Sequence, residues 1–94
     1  MTFDWDYRKA QDNAVKHGVA FEEASEVFSD PDHLAIKDVF DGTEQRYCVI
    51  GMSQNLLLLL VVCSFRGDGK IRIISARKAN SYEREAHTGQ YDES

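Results

Sequence analysis

The sequence predicts an α+β domain: an antiparallel β-meander with two N-terminal helices on one face and a C-terminal helix. Three observations carry that expectation. Leu56 to Phe65 is almost wholly apolar. It is shorter than the roughly 20 residues a membrane span needs, so it reads as a strand buried on both faces at the centre of its sheet. Gly67-Asp68-Gly69 follows at once as a hairpin signal, and Ile71, Ile73 and Ile74 supply the returning strand. Two helical patterns precede the strands, closed by Gly18 and by Asp30-Pro31.

The elements follow in order. Phe3 and Trp5 alternate with Asp4 and Asp6, which suits a short edge strand. Asp6 caps the first helix, whose buried face is expected at Tyr7, Ala10 and Ala14. Lys16 and His17 fall in its last turn, where positive charge suits the dipole. The second helix runs over Phe21 to Ser29, with Phe21, Ala24, Val27 and Phe28 inward and Glu22, Glu23 and Glu26 toward solvent. Leu34 to Val39 is a weaker strand and Phe40-Asp41-Gly42-Thr43 a turn. Gln45 to Met52 is the next strand, and Ser53-Gln54-Asn55 turns it into the Leu56 strand. Asn80 with Glu83 resembles a capping box for a last helix over Ser81 to His87. The domain is expected to span residues 1–88, with 89–94 a frayed tail.

Composition narrows the class. The chain has 94 residues, 43% of them apolar, with four Tyr, five Phe and one Trp, which argues for one folded domain. The first residues lack the basic start and apolar run of a signal peptide, so the expectation is a cytoplasmic protein without membrane contact. Cys48 and Cys63 fall in strands and read as small core residues. Neither CxxC nor Cys-His spacing occurs, and His17, His33 and His87 are far apart, so no metal or other cofactor is expected. The net charge is −5, but it is uneven. Residues 1–45 hold four basic and eleven acidic side chains, a balance of −7. Residues 46–94 hold seven and five, a balance of +2. That asymmetry reads either as solvated helix faces or as a basic functional half joined to an acidic helical half.

Several segments, in order, resemble the BrnT toxin family of bacterial type II toxin–antitoxin systems. They are Phe3-Asp4-Trp5-Asp6, Lys9-Ala10, Asn13, Lys16-His17-Gly18-Val19, Phe21-Glu22-Glu23-Ala24, and Val27-Phe28 with Asp30-Pro31. Glu44 with Arg46, Ile50-Gly51 with Ser53, Arg72-Ile73-Ile74-Ser75-Ala76-Arg77 and Glu83-Arg84 complete the set. Tyr7 stands where the family often has proline. The resemblance implies a single small RelE-like domain and a ribonuclease toxin that inhibits translation and growth. It also implies a cognate BrnA-like antitoxin with a ribbon-helix-helix DNA-binding domain, through which alone the toxin meets DNA. The alternative is a non-catalytic RelE-like interaction domain that binds an antitoxin and takes part in operon autoregulation, a reading the negative charge favours.

RNA cleavage without a metal uses the 2′-hydroxyl as nucleophile. It needs a base, an acid, and cations aimed at the phosphate. Arg46, Arg66 and Arg77 lie at or just beyond three strand ends, either converging on one phosphate or paired with surface carboxylates. Arg72 points opposite to Arg77 in a regular strand, unless a bulge intervenes. It is left as an RNA contact or a salt bridge. His17 is either a proton-transfer group or a helix-terminal structural residue. Glu44 is either a base or the partner of Arg46. Lys16 touches phosphate or complements the dipole, and Lys70 and Lys78 attract phosphate unspecifically. Tyr82 and Tyr91 either stack on a base or pack the terminal helix.

Overall fold

A computed structural model describes residues 1–37 and 45–89. In chain order the elements are β1 (Thr2–Asp4), α1 (Tyr7–His17), α2 (Phe21–Ser25), a 3-10 helix (Glu26–Ser29), β2 (Leu34–Lys37), β3 (Tyr47–Met52), β4 (Leu58–Phe65), β5 (Lys70–Lys78) and α3 (Ser81–Gly89). The strands form one sheet in the order β1-β5-β4-β3-β2. β2 to β5 pair antiparallel, each with the next, which is the expected meander. β4 takes the central place that its two-sided apolar pattern requires. β1 lies at an edge, as expected, but pairs in parallel with β5, Phe3 opposite Ile71, so the sheet is mixed. The expected turn at residues 40–43 and the tail at 90–94 lie outside the described residues.

The core sits between one sheet face and the early helices. Side chains alternate along each strand, so Val49, Leu59, Val61, Cys63, Ile71, Ile73 and Ala76 share the helix side. There they join Val19, Phe21, Ala24, Val27 and Phe28 in one buried cluster. Each such aliphatic or aromatic side chain contributes about 1.5–3 kcal/mol on burial. Trp5 meets Phe21 edge-on at 5.9 Å and Phe3 tilts onto Phe28 at 5.3 Å, which seats the N-terminal strand. Burial, with Cys48 nearby, pushes the Cys63 thiol up to about 12, as suits an inert core thiol. Gly51 is required by close packing. A Cβ there would stand 2.8 Å from Val27 Cβ and 2.9 Å from the Val27 carbonyl oxygen.

Three local expectations change. Asp6 caps α1 as expected, accepting from the Arg8 and Lys9 amides, and Gly18 ends it in the left-handed conformation. The inward face, however, is Ala10, Asn13 and His17, whereas Tyr7 and Ala14 are exposed. The Asn13 amide has three main-chain partners to reach, and that sets the helix rotation. The second helix is α-helical only to Ser25 and then tightens to a 3-10 helix. Glu23 and Glu26 are not solvent residues: Glu23 accepts from Ser53 Oγ at 2.9 Å and Glu26 from the Gln54 amide at 3.0 Å. Both hold the β3–β4 turn.

That turn supplies the third change. Leu56 is not the first residue of the central strand. It closes a three-residue hairpin loop between Ser53 and Leu57, with φ of 62° and 79% exposure. The loop geometry asks for glycine or asparagine at this position. Leu56→Gly is therefore expected to stabilise the chain by about 1 kcal/mol. A thermal melt reads this as a rise of roughly 4–8 °C; an unchanged or lowered midpoint counts against it.

Candidate functional site

The second sheet face carries the arginines. Cross-strand register sets Asp4 opposite Arg72 and Arg72 opposite Ser64. Tyr47 opposite Cys63 is the first pair of the β3–β4 ladder. Continuing that register by one residue puts Arg46 beside Ser64. Asp4, Arg72, Ser64 and Arg46 thus form a row across four strands. Asp4 holds Arg72 by an ion pair of 3.3 Å. Ser64 is 2% exposed, and its hydroxyl has no hydrogen-bond partner among the described residues.

A bulge decides which face Arg77 takes. Val62 pairs with Ser75 but Cys63 pairs with Ile73, so Ile74 is the extra residue of β5. Arg72 then stands opposite Ser64 and Arg77 opposite Leu60. Ser64 and Leu60 are an even number of positions apart, so both arginines share this face. In a regular strand the two would be on opposite faces.

Arg66 belongs to the same end as Arg46 and Arg72. It follows β4, is exposed, and its amide donates to the Lys70 carbonyl at 2.8 Å across the hairpin turn. Lys70 is exposed beside it. A cavity of about 360 Å³ opens here, lined by Gln45, Tyr47, Ser64, Phe65, Arg66 and Gly67.

Arg77 does not join that group. It lies opposite Leu60, and Arg66 is six residues further along β4, about 20 Å at the rise of a strand. Its guanidinium donates to both oxygens of Glu83, at 2.9 and 2.7 Å. Those bonds raise the Arg77 pKa further, and the same contact holds the Glu83 carboxyl below the usual range. Glu83 also closes the expected capping box: its Oε1 accepts from the Asn80 amide, and the Glu83 amide donates to Asn80 Oδ1. Arg77 is thereby tied to the start of α3. Lys78 is exposed at the same end, and Tyr82 is 79% exposed on α3.

α3 is held a second time. Asp30 Oδ2 accepts from the Met52 amide at 2.8 Å and from His87 Nε2 at 3.1 Å, while Oδ1 accepts from the Asp32 amide at 2.9 Å. Burial pushes the Asp30 carboxyl up, but the three donors outweigh it and hold its pKa below the ordinary value.

His17 and Lys16 lie elsewhere. They line a cavity of about 240 Å³ with Lys9, Asp12, Asn13, Ile74 and Ser75, where α1 meets β5 beside the bulge. Glu44 and Tyr91 lie outside the described residues. Among the described residues no cluster of three or more His, Cys, Asp or Glu side chains is placed to hold a metal. No described helix is long and apolar enough to cross a membrane. Sequence reasoning missed Asp4 and Ser64 as neighbours of the arginine row, and the Tyr47–Phe65 pair on the helix side of the same sheet end. Asp4 opposite Arg72 needed the parallel β1–β5 pairing, and no local pattern gives it.

The family model described as "Ribonuclease toxin, BrnT, of type II toxin-antitoxin system" matches residues 5–83. A crystal structure of the Brucella abortus ribonuclease toxin BrnT is similar at a TM-score of 0.64 and 26% identity, covering 86% of this chain and 99% of that one. No curated protein matches the chain.

Proposed function

We propose that this chain, which belongs to the BrnT family of ribonuclease toxins of type II toxin–antitoxin systems, cleaves RNA in the cytoplasm without a metal ion and so inhibits translation and growth. Neutralisation comes from a cognate antitoxin carrying a ribbon-helix-helix DNA-binding domain. The observation that carries the reading is the cationic end of the sheet, where Arg46, Arg66 and Arg72 stand together beside Ser64.

In the proposed step the 2′-oxygen attacks the adjacent phosphorus as its proton passes to a base. The bond to the 5′-oxygen breaks, that oxygen takes a proton, and a 2′,3′-cyclic phosphate remains. Arg46 and Arg72 would bind the non-bridging oxygens as charge builds on them, with Arg66 on a neighbouring phosphate. Glu44, two residues before Arg46, is assigned as the base. His17 lines the separate cavity at Ile74 and Ser75, two and three residues along β5 from Arg72; it is assigned the proton for the departing oxygen, on a strand of RNA that runs from the arginine row to that cavity. Lys16 lines the same cavity and supplies a phosphate contact there. Lys70 and Lys78 would add general attraction, and Tyr82, exposed on α3 at the far end of the sheet, would meet a base further along the RNA. Arg77, at the other end of the sheet and bonded there to Glu83, is assigned to holding α3 rather than to the phosphate.

The test is expression alone and together with the neighbouring small gene. Growth arrest and RNA cleavage that persists in EDTA are expected for the chain alone, both relieved by the neighbour. Arg46→Ala and Arg72→Ala should each slow cleavage about 100-fold with an unchanged circular dichroism spectrum. Intact RNA and normal growth at confirmed soluble expression favour instead a binding-only domain, the reading to which the net charge of −5 and the Arg77–Glu83 pair lend support.

A further inference from the structure

The cavity at the end of β3 and β4 has a wall that the cleavage step does not use. Tyr47 and Phe65 meet there with ring centroids 4.8 Å apart and planes inclined by 62°. Tyr47 is half-buried, but Phe65 keeps 49% of its surface exposed at the end of its strand. A ring so placed contributes little to the core and leaves a π-surface facing solvent. Arg66, one residue on, is exposed and permanently charged. Ser64, one residue back, also borders the cavity, but its side chain belongs to the other sheet face, opposite Arg72. The cavity of about 360 Å³ is within the range of small-ligand clefts, roughly 300–1,000 Å³.

We propose that this cavity seats one nucleotide of single-stranded RNA next to the cleaved bond, its base stacked on Phe65 and its phosphate on Arg66. The inference rests on the RNA-cleaving reading and deepens it. Every base offers a π-face, so Phe65 fixes where the strand lies without choosing the base.

The test uses the full chain and short RNA made uncleavable by 2′-O-methylation, with 2-aminopurine at one position per oligonucleotide. Stacking quenches that base. The unaltered chain is expected to quench it strongly at one position. Phe65→Leu should bind about tenfold more weakly and lose that quenching, while Phe65→Trp restores both. In Phe65→Trp the added indole emission, over that of Trp5, should fall when RNA binds; this reading stands even where the leucine variant fails to fold. Unchanged affinity and quenching in Phe65→Leu overturn the inference. So does an indole at position 65 that RNA leaves unaltered, or the absence of quenching at every position. Phe65-dependent quenching in a chain that cuts no RNA supports the nucleotide seat and removes only the nuclease reading.

Discussion

Asn13→Leu is expected to cost the fold about 4 kcal/mol, read as a drop in the urea midpoint at unchanged slope. Asn13 is only 6% exposed. Its Nδ2 donates to the Ala76 carbonyl at 2.8 Å and to the Val19 carbonyl at 3.0 Å, and its Oδ1 accepts from the Ala76 amide at 3.1 Å. β1 pairs with β5 only as far as Arg72. Beyond that point the amide does what a neighbouring strand would do, matching both main-chain groups of Ala76. Leucine has a similar volume and leaves three buried main-chain groups unpaired. Against a total of roughly 5–15 kcal/mol for a domain, that is a large share. Asn13→Asp separates shape from hydrogen bonding. It keeps the acceptor but turns a carboxylate toward two carbonyl oxygens, which disfavours the charged form. Its folded-state pKa is therefore raised, and its deficit relative to the parent should shrink as pH falls. A deficit independent of pH would show that the donor side of the amide is unimportant.

Asp30→Ala is expected to cost about 3 kcal/mol and to alter the acid response of the chain. The Asp30 carboxyl joins the loop after the 3-10 helix to β3 and to α3. Its pKa is lowered in the folded state: burial opposes the shift, and the Asp32, Met52 and His87 donors produce it. A depressed carboxylate contributes stability that is fully present above its unfolded value and is lost as pH falls through the folded one. The Glu83 carboxyl, lowered chiefly by Arg77, acts in the same direction. The parent should thus lose stability below the ordinary carboxylate range. Asp30→Ala, already weakened at neutral pH, should show a shallower slope there. Urea midpoints from pH 7 to pH 3 check this, and parallel curves for the two proteins would refute the linkage.

What could be read from the sequence divides along physical lines. β4 was legible because a run apolar on both faces has only one place in a sheet. The β4–β5 hairpin was legible because Gly67-Asp68-Gly69 announces it. The capping of α1 and α3 was legible because each cap is local in sequence. Contacts made between distant segments were not. The parallel β1–β5 pairing has no turn to mark it. The bulge at Ile74 carries no glycine or proline, yet it decides that Arg72 and Arg77 share a face. Asp30 looked like a helix stop before Pro31, and its tie to His87 comes from the other end of the chain. The expected meeting of Arg46, Arg66 and Arg77 treated strand ends as equivalent. In the sheet the first two stand at one end, and Arg77 stands at the other with Glu83.

The Asn13 amide has one more consequence. A stretch of β5 longer than its neighbour would offer bare main chain to any foreign strand, the usual route to sheet growth between molecules. The side chain occupies the middle of that stretch at Ala76. It blocks template-driven aggregation on that rim while adding no strand that could itself be extended.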